Sequence, residues 1–281
     1  MRKLREWGVG ALAWGSGLGL VALSVALIGD LLRRGLPELS LSYLIEPPAR
    51  SGLAGGVGPI LVGTLLITGV AIATSLPVGV GAAILLREYT APGSRAASAA
   101  RRSLDVLAGV PSIVFGLFGL KLFCEMLGLG WSILSGGLTL ACMALPLLVR
   151  ATDEGLSAVP REYRLGCSAL GVSRTASLWQ VLLPAAMPSI LAGLALGLGR
   201  ALAETAVVMF TAGASTRWPQ SILEPSRSLA YHIYILASEV PGGQRRAWTA
   251  ALVLLVLIAM ASGLAQLGFS RWARRRTGGA Y

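Results

Sequence analysis

The segment TAALVLLVLIAMASGLAQLG, residues 249–268, decides the fold class because it holds no charged side chain. About twenty residues in an α-helix span about 30 Å, which is the hydrocarbon thickness of a bilayer. A second long apolar block occupies residues 104–123. Blocks of this length predict helices that cross a membrane.

Six apolar blocks follow one another along the chain. Together they predict an all-α polytopic membrane protein with six transmembrane helices. The first block follows basic residues, as in a signal peptide, but it is longer than the roughly 7–15 apolar residues of a signal core, so we expect a retained helix. The blocks occupy residues 7–32, 59–86, 104–127, 131–149, 187–210 and 248–269.

The charged residues agree with this class. Only 13% of residues are charged, against roughly 25% in soluble domains, and mean hydropathy is +0.71. This composition excludes a disordered chain, a collagen-like rod and an ordinary soluble domain. The net charge of +11 comes from arginines in short segments between the blocks, so we predict no nucleic-acid partner. With the N-terminus inside, 15 basic residues fall in cytoplasmic segments and 8 in outer ones, which predicts two cytoplasmic termini.

The residue types that most enzymes use are scarce. A phosphate-cradling loop needs Gly-Lys-Ser/Thr, and the only lysines, Lys3 and Lys121, lie in other contexts. His232 is the only histidine, which leaves little material for a metal cluster or a Ser-His-Asp triad. The three cysteines predict neither a disulfide framework nor a zinc site. We therefore expect no catalytic residue, metal or cofactor.

A loop between the fourth and fifth blocks carries the most informative motif. It reads VPREYRLGCSALG over residues 159–171 and continues to Leu183-Pro184. A helix, a break at Gly171 and a second short helix would form a rigid knob on one membrane face. A simple surface helix–turn–helix is the other interpretation of these residues.

This loop resembles the cytoplasmic loop of the inner-membrane permease subunits of ABC importers. Gly171 and Leu183-Pro184 hold the spacing of that family, whereas Leu165-Gly166-Cys167 replaces its acidic-Ala-Ala start. Glu162 lies three residues too early to replace the acid directly. The resemblance implies a coupling helix that transmits motion from an ATPase. The implied coupling residues are Arg164, Leu165, Gly166, Cys167, Gly171, Leu183 and Pro184.

A second stretch narrows the resemblance. The sequence GLALGLGRALAETA, residues 193–206, followed by Phe210-Thr211-Ala212, resembles the phosphate-specific permeases, of the PstA type rather than the PstC type. Residues 105–118 and 228–237 resemble the third helix and the last outer segment of the same permeases. The resemblance covers about residues 59–271. It implies the ABC type I importer permease fold and a subunit of an ATP-driven phosphate importer.

Arg200 and Glu204 are four residues apart, which places both on one face of a helix. An arginine at the helix centre costs roughly 2.5–3.5 kcal/mol in a bilayer, and pairing with Glu204 reduces that cost. The planar guanidinium can engage two phosphate oxygens at once. The resemblance implies that Arg200, Glu204 and Thr205 line the anion pathway. A purely internal salt bridge is the alternative.

The resemblance also implies the partners and the organisation of the chain. It implies a homologous PstC-type permease, an ATP-binding PstB-type ATPase dimer, a periplasmic PstS-type phosphate-binding protein and membrane lipid. The chain would be a multi-pass protein of the inner (plasma) membrane. Three regions are expected: an N-terminal helix with its outer loop (1–58), the permease domain (59–271) and a basic cytoplasmic tail (272–281).

Other functions stay open at this point. The chain could be a permease for another oxyanion, a non-transporting membrane scaffold or an intramembrane enzyme. An enzyme needs a nucleophile and base or metal ligands at bilayer depth, and a scaffold does not need Arg200 inside a helix.

Three local features predict further details of the structure. Pro111 predicts a kink, and Gly193-x-x-x-Gly197 predicts close helix packing, within the chain or across a subunit interface. Asp105 is expected to cap its helix or to pair with a neighbouring arginine.

Overall fold

A computed structural model describes residues 2–91 and 93–276 of the chain. Five helices of this described part are long and apolar enough to cross a membrane, and a bent pair supplies a sixth crossing if its two parts form one span. The all-α polytopic membrane class is confirmed. The spans are Trp14–Glu38, Gly58–Tyr89, Ile133–Ala158, Arg174–Ala203 and Gln244–Leu264, with Arg95–Ala108 and Ser112–Met126 as the bent pair.

The first helix, α1 (Arg2–Gly35), contains the first predicted block and extends beyond it. Its C-terminal end packs closely, because Gly35 meets Leu252 and the Arg34 guanidinium lies 5.1 Å from the centre of the Trp248 ring. The described large apolar side chains from Leu12 to Ile28 are exposed. An apolar helix left uncovered over this length is suited to lipid or to another membrane helix.

The segment after α1 folds into a small cap. It contains a 3₁₀ turn (Leu36–Glu38), helix α2 (Leu41–Ile45) and a hairpin of β1 (Pro48–Ala49) and β2 (Ala54–Gly55), in which Pro48 pairs with Gly55. Arg246 holds this cap. Its Nε lies 3.1 Å from Glu38 Oε2, and its Nη1 donates to the Gly55 carbonyl at 3.2 Å.

Three helices form the centre of the molecule. These are α3 (Gly58–Ile84), which a π-helical turn extends to Tyr89, α6 (Ile133–Ala158) and α9 (Leu183–Ala203). Two glycines permit the close approach of α3 and α6, since a Cβ at Gly137 would meet Val70 and one at Gly79 would meet Leu148. The buried cluster between these helices is apolar and includes Ile67, Ala71, Leu140, Met143 and Ala201.

The third predicted span, residues 104–127, is not one helix. The chain forms α4 (Arg95–Ala108) and then α5 (Ser112–Gly119), which a π-helical stretch extends to Met126, and the two parts meet at 103°. The predicted kink at Pro111 is confirmed and is larger than a bend within a helix. Pro111 has extended backbone and directly precedes α5. Proline also disfavours helical conformation at the residue before it, Val110, which contributes to the break after α4.

The fifth predicted span, residues 187–210, is also corrected. One helical stretch runs from Arg174 to Ala203, through α8 (Arg174–Ser177), a π-helical turn and α9. The second short helix predicted after Gly171 is therefore the beginning of this long span. Glu204 has extended backbone (φ −72°, ψ 128°), so the helix ends there and a new one, α10 (Ala206–Thr211), begins after Thr205.

The chain ends with two helices of unequal length. The short α11 (Leu229–Ser238) lies between spans and is capped by the Ser228 hydroxyl. The long α12 (Gln244–Arg276) contains the sixth predicted block. Residues 272–276 of the expected tail continue α12, and residues 277–281 lie outside the described residues. The division of the chain into three regions stays a prediction.

Candidate functional site

A short helix, α7 (Arg161–Ala169), forms a knob directly after α6. The chain reverses at Gly171, whose φ of +66° is a conformation that glycine adopts at little cost. Ser173 then caps α8, because its hydroxyl accepts the Ala176 N–H at 3.3 Å. The predicted helix and its break at Gly171 are both present.

Arg164 attaches this knob to the membrane helices. Its Nη2 lies 2.6 Å from Glu88 Oε1, in the π-helical end of α3, and also donates to the Leu156 carbonyl at 3.1 Å. Its Nη1 donates to the Val159 carbonyl at 3.4 Å. Carbonyls at the end of α6 have no partner within their own helix, so Arg164 caps α6 while it binds α3.

The outer face of the knob is uncovered. Tyr163 is 51% exposed, Leu165 57% and Leu170 82%, so apolar side chains face solvent beside the charged ones. Gly166 is exposed as well. A group of exposed apolar side chains on an otherwise polar helix is typical of a surface that binds another protein or a membrane.

Cys167 lies on the inner side of the knob. It is partly buried and lines a cavity of about 330 Å³ between the knob, the π-helical end of α3, and α8 with the π-helical turn that follows it. The cavity is also lined by Glu88, Arg164 and Arg174. The remaining two predicted coupling residues are not in the knob: Leu183 is buried in a cluster with Leu156, and Pro184 is the second residue of α9.

The second predicted group lies where α9 ends. Arg200 Nε is 3.8 Å from Glu204 Oε1, with the arginine side chain 48% exposed and the glutamate 14% exposed. Glu204 interacts with the Ser112 side chain at the beginning of α5. Thr205 is partly buried at the boundary between α9 and α10. The break in the fifth span therefore joins Arg200, Glu204 and Ser112, a contact that the sequence did not predict.

Neighbouring contacts give the depth of Arg200 in the bundle. Gly193 meets Ala151 of α6, and Gly197 lies 4.0 Å from Leu147, so the predicted close packing lies within the chain. One turn farther, Ala201 belongs to the same buried cluster as Met143. Arg200 is therefore level with about residue 143, which is about 15 Å from the N-terminal end of α6 at 1.5 Å per residue.

The face of α9 that carries Arg200 is open along its length. Pro188, Ala192, Leu196 and Arg200 are exposed at intervals of four residues, whereas Gly193 and Gly197 are buried. Residues four apart share a helix face. Because a charge facing hydrocarbon is costly, this face is better suited to a wet pathway or a polar partner than to lipid.

A network of ion pairs joins the helix ends near the knob. Asp105 of α4 pairs with Arg150 of α6, rather than with its neighbours Arg101 and Arg102 as expected. Asp153 of α6 lies 3.4 Å from Arg101. It also lies 3.9 Å from Arg87. Each pair joins separate helices, so the α4 carboxylate fixes α4 against α6 rather than capping its own helix.

No group of three or more potential metal ligands occurs within the part of the chain that the structure describes. His232 is buried in α11, where Arg227 Nη1 lies 3.3 Å from its Nδ1. The histidine thus has a packed, hydrogen-bonded environment.

Comparison with known families identifies the class of protein to which this bundle of long helices belongs. Residues 75–276 match the family described as binding-protein-dependent transport system inner membrane component. The chain belongs to this family. Members of this permease family are transport subunits, so the chain is a multi-pass inner-membrane permease subunit rather than an enzyme.

Curated relatives of this permease cover most of its length. A Phosphate transport system permease protein PstA from Xylella fastidiosa (strain Temecula1) is 36% identical over 83% of the chain and 81% of its own length. A probable phosphate transport system permease protein PstA from Methanocaldococcus jannaschii is 31% identical, over 82% of each chain. A probable ABC transporter permease protein, YqgI of Bacillus subtilis, is 32% identical over 85% of the chain and 87% of its own length.

Solved structures confirm the permease fold. A chain of the inward-facing MetNI methionine ABC transporter superposes with a TM-score of 0.54 at 19% identity, over 78% of this permease and 94% of that chain. A chain of a bacterial ABC transporter for import of the acidic polysaccharide alginate superposes with a TM-score of 0.56 at 13% identity. The match covers 95% of this permease and 99% of that chain. The predicted ABC type I importer permease fold is thereby confirmed.

Proposed function

We propose that this permease is a transmembrane subunit of an ATP-driven importer of inorganic phosphate. It forms the phosphate pathway together with a homologous permease of the PstC type. Relatives named as phosphate transport permeases support the substrate, since they cover most of both chains. Arg200 carries the proposal, because a half-exposed guanidinium deep in a membrane bundle suits an oxyanion.

The arrangement around Arg200 supports a role in binding and releasing phosphate. Glu204 offsets part of the cost of the buried charge, but at 3.8 Å it leaves guanidinium donors free for an anion. The extended backbone at Glu204 and Thr205 ends the helix at this point, so the pair lies at a joint between α9 and α10. A joint of this kind allows the pair to reorient as the subunit changes between inward-facing and outward-facing states.

The knob is the proposed contact for the motor. The exposed face of α7 would dock on a PstB-type ATPase dimer, and Arg164 would pass its movement to α3 through Glu88. The chain itself then performs no bond chemistry. A periplasmic PstS-type protein would deliver phosphate to the opposite face.

The helix order supports the proposed orientation. α3 and α6 both end at the face of α7, because Arg164 contacts Glu88 and the last carbonyls of α6. α1 ends at the cap that precedes α3, so α1 begins on the α7 face, and α12 ends there. Both termini and α7 are therefore proposed to be cytoplasmic.

Uptake of radiolabelled phosphate by the reconstituted importer tests this proposal. The double variant Arg200→Ala, Glu204→Ala should abolish uptake while the complex still assembles, whereas Arg217→Ala in the outer segment should transport normally. Normal uptake by the double variant would exclude the proposed role of the pair. Unlabelled sulfate and molybdate serve as competitors, and stronger competition by either than by phosphate would assign another oxyanion.

A further inference from the structure

α4 lies on the same face of the molecule as the knob α7. Arg101 Nη2 of α4 donates to the Leu86 carbonyl at 3.2 Å and lies 3.4 Å from Asp153. These partners belong to the ends of α3 and α6, which also hold α7 through Arg164. By the proposed orientation, α4 is on the cytoplasmic face.

α4 runs along this face rather than across the bundle. It meets the Ser112–Met126 segment at 103°, so it lies almost perpendicular to the direction in which that segment crosses. Among its fourteen residues only Ala97 is buried. A polar–apolar helix that lies flat and uncovered at the end of a membrane bundle is suited to the bilayer interface.

The two sides of α4 carry different charge. The inner side uses Arg101 and Asp105 in ion pairs with Asp153 and Arg150 of α6. On the outer side, Arg95 and Arg102 are exposed, and neither has an ion-pair partner among the described residues. Asp105 is the only acid in α4, so the outer side presents two positive charges that no carboxylate of α4 offsets.

Apolar side chains adjoin this outer surface. Val106 shares the helix face of Arg95 and Arg102 and is 70% exposed. Leu107, on the adjoining side, is 42% exposed and lines an apolar cavity with Val114 and Phe118, and both residues lie in the last turn of α4, beside the bend that leads into the membrane. A soluble anion would gain nothing from these two residues. A phospholipid offers a phosphate to the arginines and an acyl chain to the apolar residues at the same time.

The cavity between α4 and α6 is less suited to an anion. It measures about 350 Å³, and its lining includes the carboxylates of Asp105, Asp153 and Glu154. These acids offset the arginines beside them. An anionic headgroup is therefore expected on the outer surface of α4, at Arg95 and Arg102.

We propose that α4 is a binding surface for anionic phospholipid of the cytoplasmic leaflet. Arg95 and Arg102 bind the headgroup phosphate, and Val106 and Leu107 contact the lipid chains. This interaction would hold α4 flat against the membrane while its inner side stays bound to α6. The lipid measurement does not depend on transport, so its failure leaves the phosphate proposal untouched.

Native mass spectrometry of the detergent-purified importer tests this surface. The complex is titrated with dioleoyl phosphatidylglycerol and, separately, with dioleoyl phosphatidylcholine. Wild type should bind phosphatidylglycerol more tightly. The variant Arg95→Gln, Arg102→Gln should weaken that binding about 30-fold, which corresponds to about 1 kcal/mol for each arginine. Lysine at both positions should preserve it, because the charge remains.

Arg161→Gln is the matched control, because Arg161 is an exposed arginine on the same face, in α7. It should leave lipid binding unchanged. Equal affinity for the two lipids in wild type, an undiminished preference in the double glutamine variant, or an equal loss in Arg161→Gln would overturn the proposal. Displacement of phosphatidylglycerol by an equal concentration of inorganic phosphate would do the same, since it would show that the lipid chains contribute nothing. Loss of the ATPase from the double variant with unchanged lipid binding would assign the surface to protein instead.

Discussion

Arg164 of the knob and Glu88 at the end of α3 are separated by 76 residues in sequence but by 2.6 Å in space. Arg164 is 31% exposed and Glu88 15% exposed, so water screens this pair only in part. The pair is the direct polar link between the proposed ATPase contact and the second membrane span. The knob has Leu165 where the resembling permeases have an acidic residue, and Glu88 supplies a carboxylate beside the knob from another helix.

Removing this link should uncouple the motor from the pathway. Glu88→Gln keeps a hydrogen-bond acceptor but loses the charge, so we expect phosphate uptake to fall several-fold with the complex intact. Arg164→Gln also loses the bonds to the carbonyls that end α6, and charged hydrogen bonds contribute about 1.5–3 kcal/mol each. Arg164→Gln should therefore be the more damaging change in both uptake and thermal stability.

Uptake and ATP hydrolysis, measured on the same preparation, check this order. Arg217→Gln, which changes an exposed arginine of the outer segment away from α7, should behave as wild type. If Glu88→Gln and Arg164→Gln both retain wild-type uptake and hydrolysis, the pair has no coupling role.

The packing of α9 on α6 depends on Gly193. A Cβ at this position would overlap the Cβ of Ala151, and neither atom is the end of a flexible chain. Gly193→Ala should therefore destabilise the complex by about 1–3 kcal/mol, the usual cost of overpacking a core. Thermal unfolding in detergent measures this loss, and Ala151→Gly introduced with it should restore most of the stability.

Gly166→Ala is the control, because nothing lies within 4 Å of a Cβ at that position. It removes a glycine from a helix without creating a clash, so stability should stay the same or rise slightly. An equal loss in the two alanine variants would show that the effect of Gly193→Ala is not steric.

The sequence predicted the features that follow from local composition. The length of the apolar blocks predicted the membrane spans, and Gly171 predicted the turn that ends the knob. Both features depend on local sequence. The positions of Gly193 and Gly197 likewise predicted close packing. The residues of α6 that they contact could be identified only from the three-dimensional structure, since these contacts join positions that are distant in sequence.

The two corrections have a common physical cause. Residues 104–127 were predicted as one span because the block is mostly apolar, but Asp105 within it and Arg101 just before it hold α4 against α6 through ion pairs with distant residues. Glu204 likewise leaves helical backbone and interacts with Ser112 of α5. Tertiary contacts of this kind override hydrophobic periodicity, which carries no information about partners on other helices.

The buried histidine of the outer segment should make stability depend on pH. His232 is 1% exposed in α11, and burial, followed by the charge of Arg227, lowers its pKa from 6.5 to about 4. Between these two values the unfolded chain binds a proton that the folded chain does not, so stability falls as pH drops from about 6.5 to 4. The loss amounts to at most about 3.5 kcal/mol at about 1.4 kcal/mol per pKa unit.

His232→Gln separates this effect from the titration of carboxylates. The glutamine oxygen can still accept from Arg227, but the side chain does not titrate. Thermal unfolding of the purified complex at pH 7, 5.5 and 4.5 should show a steeper decline for wild type than for the variant. Parallel declines would mean that His232 does not contribute to acid sensitivity.

Charge alone is not sufficient at Arg200 if its planar donors bind phosphate. Arg200→Lys keeps the positive charge beside Glu204 but cannot engage two oxygens in a fixed geometry, so phosphate uptake should fall at least about tenfold, the equivalent of about 1.4 kcal/mol. Initial uptake rates over a range of phosphate concentrations measure this loss. Arg217→Lys, an exposed arginine of the outer segment, should transport normally. Wild-type kinetics in Arg200→Lys would show that Arg200 acts only as a point charge, and equal losses in both variants would remove its special position in the pathway.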